Sequence, residues 1–136
     1  MRKEKWSTAF AIFLLRVVSG FILMEHGGVK LFGFFGGLPQ VAETSTLLTM
    51  LGSIEFFGGI LILLGLFTRL TASIASLQMA AAYFLAHASL DYWYAPMLNQ
   101  GEPALLLSLI FLFFASGGAG KWSMDNVINP NPQDVH

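Results

Sequence analysis

Long apolar runs leave this chain little to become except a set of helices. They cover residues 7–28, 46–67, 71–90 and 103–118, and little sequence lies outside them. Inside hydrocarbon every backbone N–H and C=O must be satisfied within the fold, which restricts spanning segments to helices and closed barrels. A helix rises about 1.5 Å per residue, so a hydrocarbon core of about 30 Å takes roughly 20 residues. The runs are near that length, the last being the shortest. The expected fold class is therefore all-α, an integral membrane four-helix bundle. One domain is expected over residues 1–128, with a disordered polar tail over 129–136.

Composition agrees. Of 136 residues, 55% are hydrophobic, 11% are charged and thirteen are Phe, whereas soluble domains carry about 25% charged residues. The net charge is −1 and no basic patch forms, which argues against nucleic acid as a partner. With no cysteine, the chain itself excludes disulfides, dithiol chemistry and iron–sulfur ligation. The basic N-terminus before the first run reads as a retained signal-anchor, because Arg16 interrupts the apolar stretch.

Orientation follows from the cations. With a cytoplasmic N-terminus, Arg2, Lys3, Lys5, Arg69 and Lys121 lie inside and only Lys30 outside, as the positive-inside rule requires. Both termini are then expected in the cytoplasm. The turn at 65–69 is tight and makes helices two and three antiparallel neighbours. The first outer loop, 29–44, is rich in Gly and Phe, which suits an interfacial or re-entrant segment, with Pro39 opening the next helix. The second outer loop, 91–96, carries aromatics at headgroup depth.

Polar residues inside these runs point to function. An arginine at the bilayer centre costs about 2.5–3.5 kcal/mol on insertion scales, so it faces a partner or a wet cavity. Arg16 sits roughly 13 Å above the inner end of its helix, and Glu55 roughly 13 Å below the outer end of the next. Their similar depth predicts an Arg16–Glu55 ion pair, either a structural clasp or part of a ligand or proton site. Arg16, Gly20, Leu23, Gly27 and Lys30 share one helical face, and Gly52, Glu55, Gly58 and Gly59 share another. On helix three, Ser76, Tyr83 and His87 fall on one stripe. Gln78 points the other way, toward a different neighbour or a second subunit.

A second polar group lies near the outer surface: Glu25, His26, Lys30, His87, Asp91 and Glu102. Asp91, one turn after His87, could fix the imidazole tautomer. Individually such residues are ordinary interfacial side chains; together they read as a shallow outward pocket capped by Phe32–Phe35. The candidate ligand-binding residues are Arg16, Lys30, Glu55, His87 and Glu102, and the candidate proton-exchanging residues are His26 and His87. No His/Glu spacing suggests a metal site, and none is expected.

The segment Glu25-His-Gly-Gly-Val-Lys30-Leu-Phe32-Gly33 resembles the "HG..K.FG" signature of DoxX-type membrane proteins. Glu55-Phe-Phe-Gly58-Gly59 running on to Gly65-Leu-Phe-Thr68-Arg69 resembles the second block, "E..GG..L.LG..TR". His87, Glu102 and Gly120-Lys-Trp-Ser123-Met-Asp125 also match. The resemblance covers nearly the whole chain. It implies a four-helix protein of the bacterial cytoplasmic (inner) membrane, linked to oxidoreductase systems such as thiosulfate:quinone oxidoreductase or complexes of thiol stress.

The leading expectation is accordingly a membrane subunit of an electron-transfer system that binds quinone or another small ligand. An alternative is a non-catalytic anchor or assembly factor for a partner protein. A third is a small-molecule permease. Membrane lipid is an expected partner, together with a homo-oligomer or a redox partner subunit.

Overall fold

A computed structural model describes residues 5–36, 45–88 and 92–132. Among these residues the fold is all-helical, with no strand. Helix α1 (Trp6–Phe32) is followed by a 3-10 turn at Phe34–Gly36. Then come α2 (Thr46–Leu64) and α3 (Thr68–Ala82), the latter continuing as a π-helical turn over Tyr83–His87. A single turn, α4 (Pro96–Asn99), leads to α5 (Glu102–Gly117), and α6 (Met124–Ile128) closes the described chain. Helices α1 and α2 are long and apolar enough to cross a membrane; α5 is apolar but shorter.

The helices end where local chemistry dictates. Gly65 at φ 70° terminates α2, and its N–H donates back to Ile62 O. A left-handed C-cap of this kind strongly favours glycine. Two residues later Phe67, also at positive φ, begins α3, so the turn is as tight as expected. Ser45 caps α2 by accepting from Leu48 N–H. Helix α1 runs a turn beyond the expected end at 28, while α2 stops at Leu64 rather than 67.

Two antiparallel pairs make up the packing. Along α1 and α2, Gly20 faces Leu63, Gly59 faces Met24, Gly27 faces Phe56 and Gly52 faces Lys30. A Cβ at Gly20 would lie 2.7 Å from Leu63 N and 2.9 Å from Gly59 O. The backbones touch there, as small residues allow in helix pairs packed without a hydrophobic driving force. Helix α3 packs antiparallel on α5: Ser76 Oγ donates to Ser108 O, and Arg69 Nη1 donates to Ser116 O at the other end. Leu23, Ile62, Ala72, Ala75, Met79, Leu107, Phe111 and Phe114 form the core between the pairs. The outer faces carry exposed Leu, Phe and Ile, including Phe57, Leu77, Leu106 and Leu109.

Phe34 lies against Gly28, and its ring packs near Phe32 and Phe56, so the aromatic turn folds back onto α1 and α2. Pro39, Asp91 and the last residues of the tail, 133–136, lie outside the described residues. Within the tail, Asn131 N–H donates to Asn126 Oδ1.

Candidate functional site

Close approach of α1 and α2 at Gly52 brings the Lys30 side chain over α2. A Cβ on Gly52 would sit 2.9 Å from Lys30 Cβ, so only glycine leaves the stem room. From there Lys30 Nζ reaches both carboxylate oxygens of Glu55 at 2.6 Å. Glu55 is 1% exposed, while Lys30 keeps 19% of its surface. Gln78 on α3 completes the group: its Nε2 donates to Glu55 Oε1 at 2.8 Å and to Leu51 O at 3.2 Å. A buried carboxylate is tolerable only when paired and hydrogen-bonded. Two neighbouring helices, α1 and α3, supply what Glu55 needs.

The expected Arg16–Glu55 pair is not formed. Arg16 is 2% exposed, and it donates from Nη1 to Ala119 O at 2.5 Å and from Nη2 to Trp122 O at 2.7 Å. The reason is register. Gly20 already faces Leu63 near the end of α2, so one turn earlier Arg16 stands opposite the α2–α3 turn. Glu55 lies instead beside the turn that carries Lys30.

Around Arg16 the chain builds a clamp. Positive-φ glycines at 118 and 120 bend the segment after α5, presenting carbonyls that no helix uses. Asp125 accepts from Phe67 N–H at 2.8 Å and Thr68 N–H at 2.9 Å, capping α3 from outside its own sequence. Trp122 packs against Trp6, Phe10 and Phe13, tying the same segment to the start of α1. A Cβ at Gly65 would strike Ser123 Cβ at 2.6 Å and Arg16 Cζ at 2.9 Å.

The remaining candidates are spread out. His26, one turn before Lys30, is exposed. His87 ends the π turn half-buried, and Glu102 is the exposed first residue of α5. Among the described residues no hydrogen bond or ion pair joins either one to the Lys30–Glu55 group. Among the described residues no hydrogen bond or ion pair joins His26, Lys30, His87 and Glu102 to one another. No group of three or more metal-ligating side chains occurs among the described residues. Near His87, Tyr83 organises the local chain by donating from its hydroxyl to Trp93 O at 2.6 Å.

Sequence reasoning gave Gln78 a neighbour but no role. Its signal was its opposition to Ser76: a helix between two partners needs polar contacts on both faces, and Ser76 serves α5 while Gln78 serves α2.

The model of the DoxX family matches residues 11–88, the stretch that holds Lys30, Glu55 and Gln78. The chain belongs to the DoxX family. Family membership and the two long apolar helices mark it as a membrane protein. An uncharacterized protein of Haemophilus influenzae is 42% identical over 128 residues, covering 90% of this chain and 93% of its own. A Bacillus subtilis protein named "Putative oxidoreductase CatD" is 31% identical over 120 residues, 82% of each chain. No solved structure matches.

Proposed function

We propose that this DoxX protein is a membrane component of an oxidoreductase system, and that Lys30, Glu55 and Gln78 hold the polar head of quinone or another small ligand. The name of the Bacillus subtilis relative favours the redox link. The observation that carries the site is a partly exposed lysine bound to a fully buried carboxylate, with an amide as third partner. Lys30 can donate to an incoming oxygen while Glu55 stays held by Gln78. His26, exposed one turn away, exchanges protons between this group and the aqueous surface, since imidazole titrates near neutral pH.

In this reading the helical fold is a four-helix transmembrane bundle of the bacterial cytoplasmic membrane with both termini inside. Lys30 then faces the outer half and the Arg16–Asp125 clamp the inner end. A role as a non-catalytic anchor is favoured by one observation, that both Arg16 Nη atoms donate to carbonyls of the chain after α5.

Gentle extraction from the native membrane, followed by native mass spectrometry and lipid analysis, tests the proposal. Co-purifying quinone or a redox partner in fixed ratio, lost with Lys30→Met, supports it. A clean homo-oligomer carrying only phospholipid, with quinone-linked respiration unchanged in folded Lys30→Met and His26→Ala variants, turns the choice to the anchor.

A further inference from the structure

The end of the fold opposite Lys30 carries two lysines that no acidic group answers. Lys5, just before α1, is exposed, and Lys121, after α5, is half-buried. Among the described residues neither forms an ion pair or donates a side-chain hydrogen bond. The acid closest to Lys121 in sequence, Asp125, has both oxygens committed to the N–H groups of Phe67 and Thr68.

Lys121 is held in place by aromatic rings. Its Nζ stands 5.5 Å from the centroid of the Trp6 ring, a cation–π contact. Trp6 packs on Trp122 with 5.6 Å between centroids, and Phe10 packs on the same indole at 6.1 Å. A ring face takes one side of an ammonium and leaves N–H donors for an outside acceptor. The charge therefore has a fixed station beside the first turn of α1.

From that station an apolar track runs along α1. Trp6, Phe10, Leu14, Val18 and Phe21 fall within about a third of the helix circumference, and all are exposed. From Trp6 to Phe21 the helix rises about 22 Å, more than one leaflet's half of a hydrocarbon core about 30 Å thick. The sequence of groups is then charge at the end, indoles next, and an apolar face beyond. Indoles favour headgroup depth in a membrane. A phospholipid presents the complementary series, a phosphate followed by acyl chains. An acidic protein segment would meet the lysines but gain nothing from the stripe.

We propose that Lys5 and Lys121 bind the headgroup of an anionic phospholipid whose acyl chains lie along this face of α1. The inference needs a membrane protein and does not depend on the redox reading above. Each lysine near an anionic surface is favoured by about fivefold, so the two together prefer an anionic over a zwitterionic headgroup by about thirtyfold. In the orientation proposed above, this end lies in the cytoplasmic leaflet, which is the negatively charged one.

The chain's three tryptophans are Trp6, Trp93 and Trp122, so Trp93→Phe leaves both indoles of this cluster as reporters. The full-length variant is placed in phosphatidylcholine nanodiscs, and phosphatidylglycerol or phosphatidylcholine brominated on its acyl chains is titrated in. Bromine quenches a neighbouring indole, which gives the relative association constant of each lipid at the cluster. Phosphatidylglycerol should bind about thirtyfold more tightly, and Lys5→Gln or Lys121→Gln should each lower that preference about fivefold. Native mass spectrometry of the wild-type chain from mixed nanodiscs should show the same preference in the retained lipid, with no substitution needed.

Equal quenching by the two lipids overturns the inference, as does a preference that survives Lys5→Gln combined with Lys121→Gln. Relief of quenching by water-soluble glycerophosphoglycerol or by polyglutamate also overturns it. The lysines would then take a free headgroup or an acidic peptide, with no part played by the α1 stripe.

Discussion

Lys30 Nζ lies 2.6 Å from each carboxylate oxygen of Glu55, across the α1–α2 interface. One residue of each helix is thereby locked to a single register, because a slip of one turn would move the ammonium off a buried anion. Removing one partner of such a pair leaves an uncompensated charge, which costs about 3–5 kcal/mol. Lys30→Met should lose that much stability, and Lys30→Met combined with Glu55→Leu should recover most of it. Denaturant unfolding in detergent, followed by helix content, measures both.

Arg16 and Glu55 should be energetically independent. Arg16 spends its Nη donors on Ala119 and Trp122 carbonyls, and it lies about 21 Å along α1 from Lys30. A double-mutant cycle of Arg16→Met with Glu55→Gln should show coupling within about 0.5 kcal/mol. The cycle of Lys30→Met with Glu55→Gln should exceed about 1 kcal/mol. Strong coupling in the first cycle would contradict the observed register.

The glycine seam predicts a sharp contrast between two similar substitutions. A methyl at Gly20 would lie 2.7 Å from Leu63 N, and backbone does not yield as a side chain does. Gly20→Ala should force α1 and α2 apart and cost about 1–3 kcal/mol, as overpacking does. A Cβ at Gly117 meets nothing within 4 Å, so Gly117→Ala should be neutral or stabilising by up to about 1 kcal/mol. The same unfolding assay compares them.

Asp125 caps α3 although it comes more than fifty residues later in the chain. Asp125→Ala frees the N–H groups of Phe67 and Thr68 and should cost about 1–2 kcal/mol. Hydrogen exchange should speed up at these two amides, with little change at the middle of α5. Unchanged exchange at Phe67 and Thr68 would show that the cap contributes nothing in solution.

The motif residues from Gly65 to Arg69 and from Lys121 to Asp125 acquire a physical reading from this clamp. Gly65 makes room for Ser123 and Arg16, Thr68 N–H meets Asp125, and Arg69 holds the last turn of α5 through Ser116 O. They fasten the end of the fold opposite Lys30. The Lys30–Glu55–Gln78 group, by contrast, holds a partly exposed cation. In the proposed function it is the cluster that binds the ligand.

The sequence alone determined that the chain is helical, roughly where the four long helices run though not the short α4 and α6, and which faces carry the glycines and charges. Those properties follow from apolar run length, helical period and turn chemistry, all of which are local. It also placed Lys30, Glu55 and Arg16 on inward faces. Only the tertiary structure decided who pairs with whom. Depth along separate helices made Arg16 and Glu55 look level, but contact at Gly20, Gly27, Gly52 and Gly59 fixes the register and sets Lys30 beside Glu55. The partners of Arg16 are backbone carbonyls, which carry no side-chain signal in a sequence. Gln78's role needed the rotation of α3 between two neighbours, a property of the assembled helices that no single segment encodes.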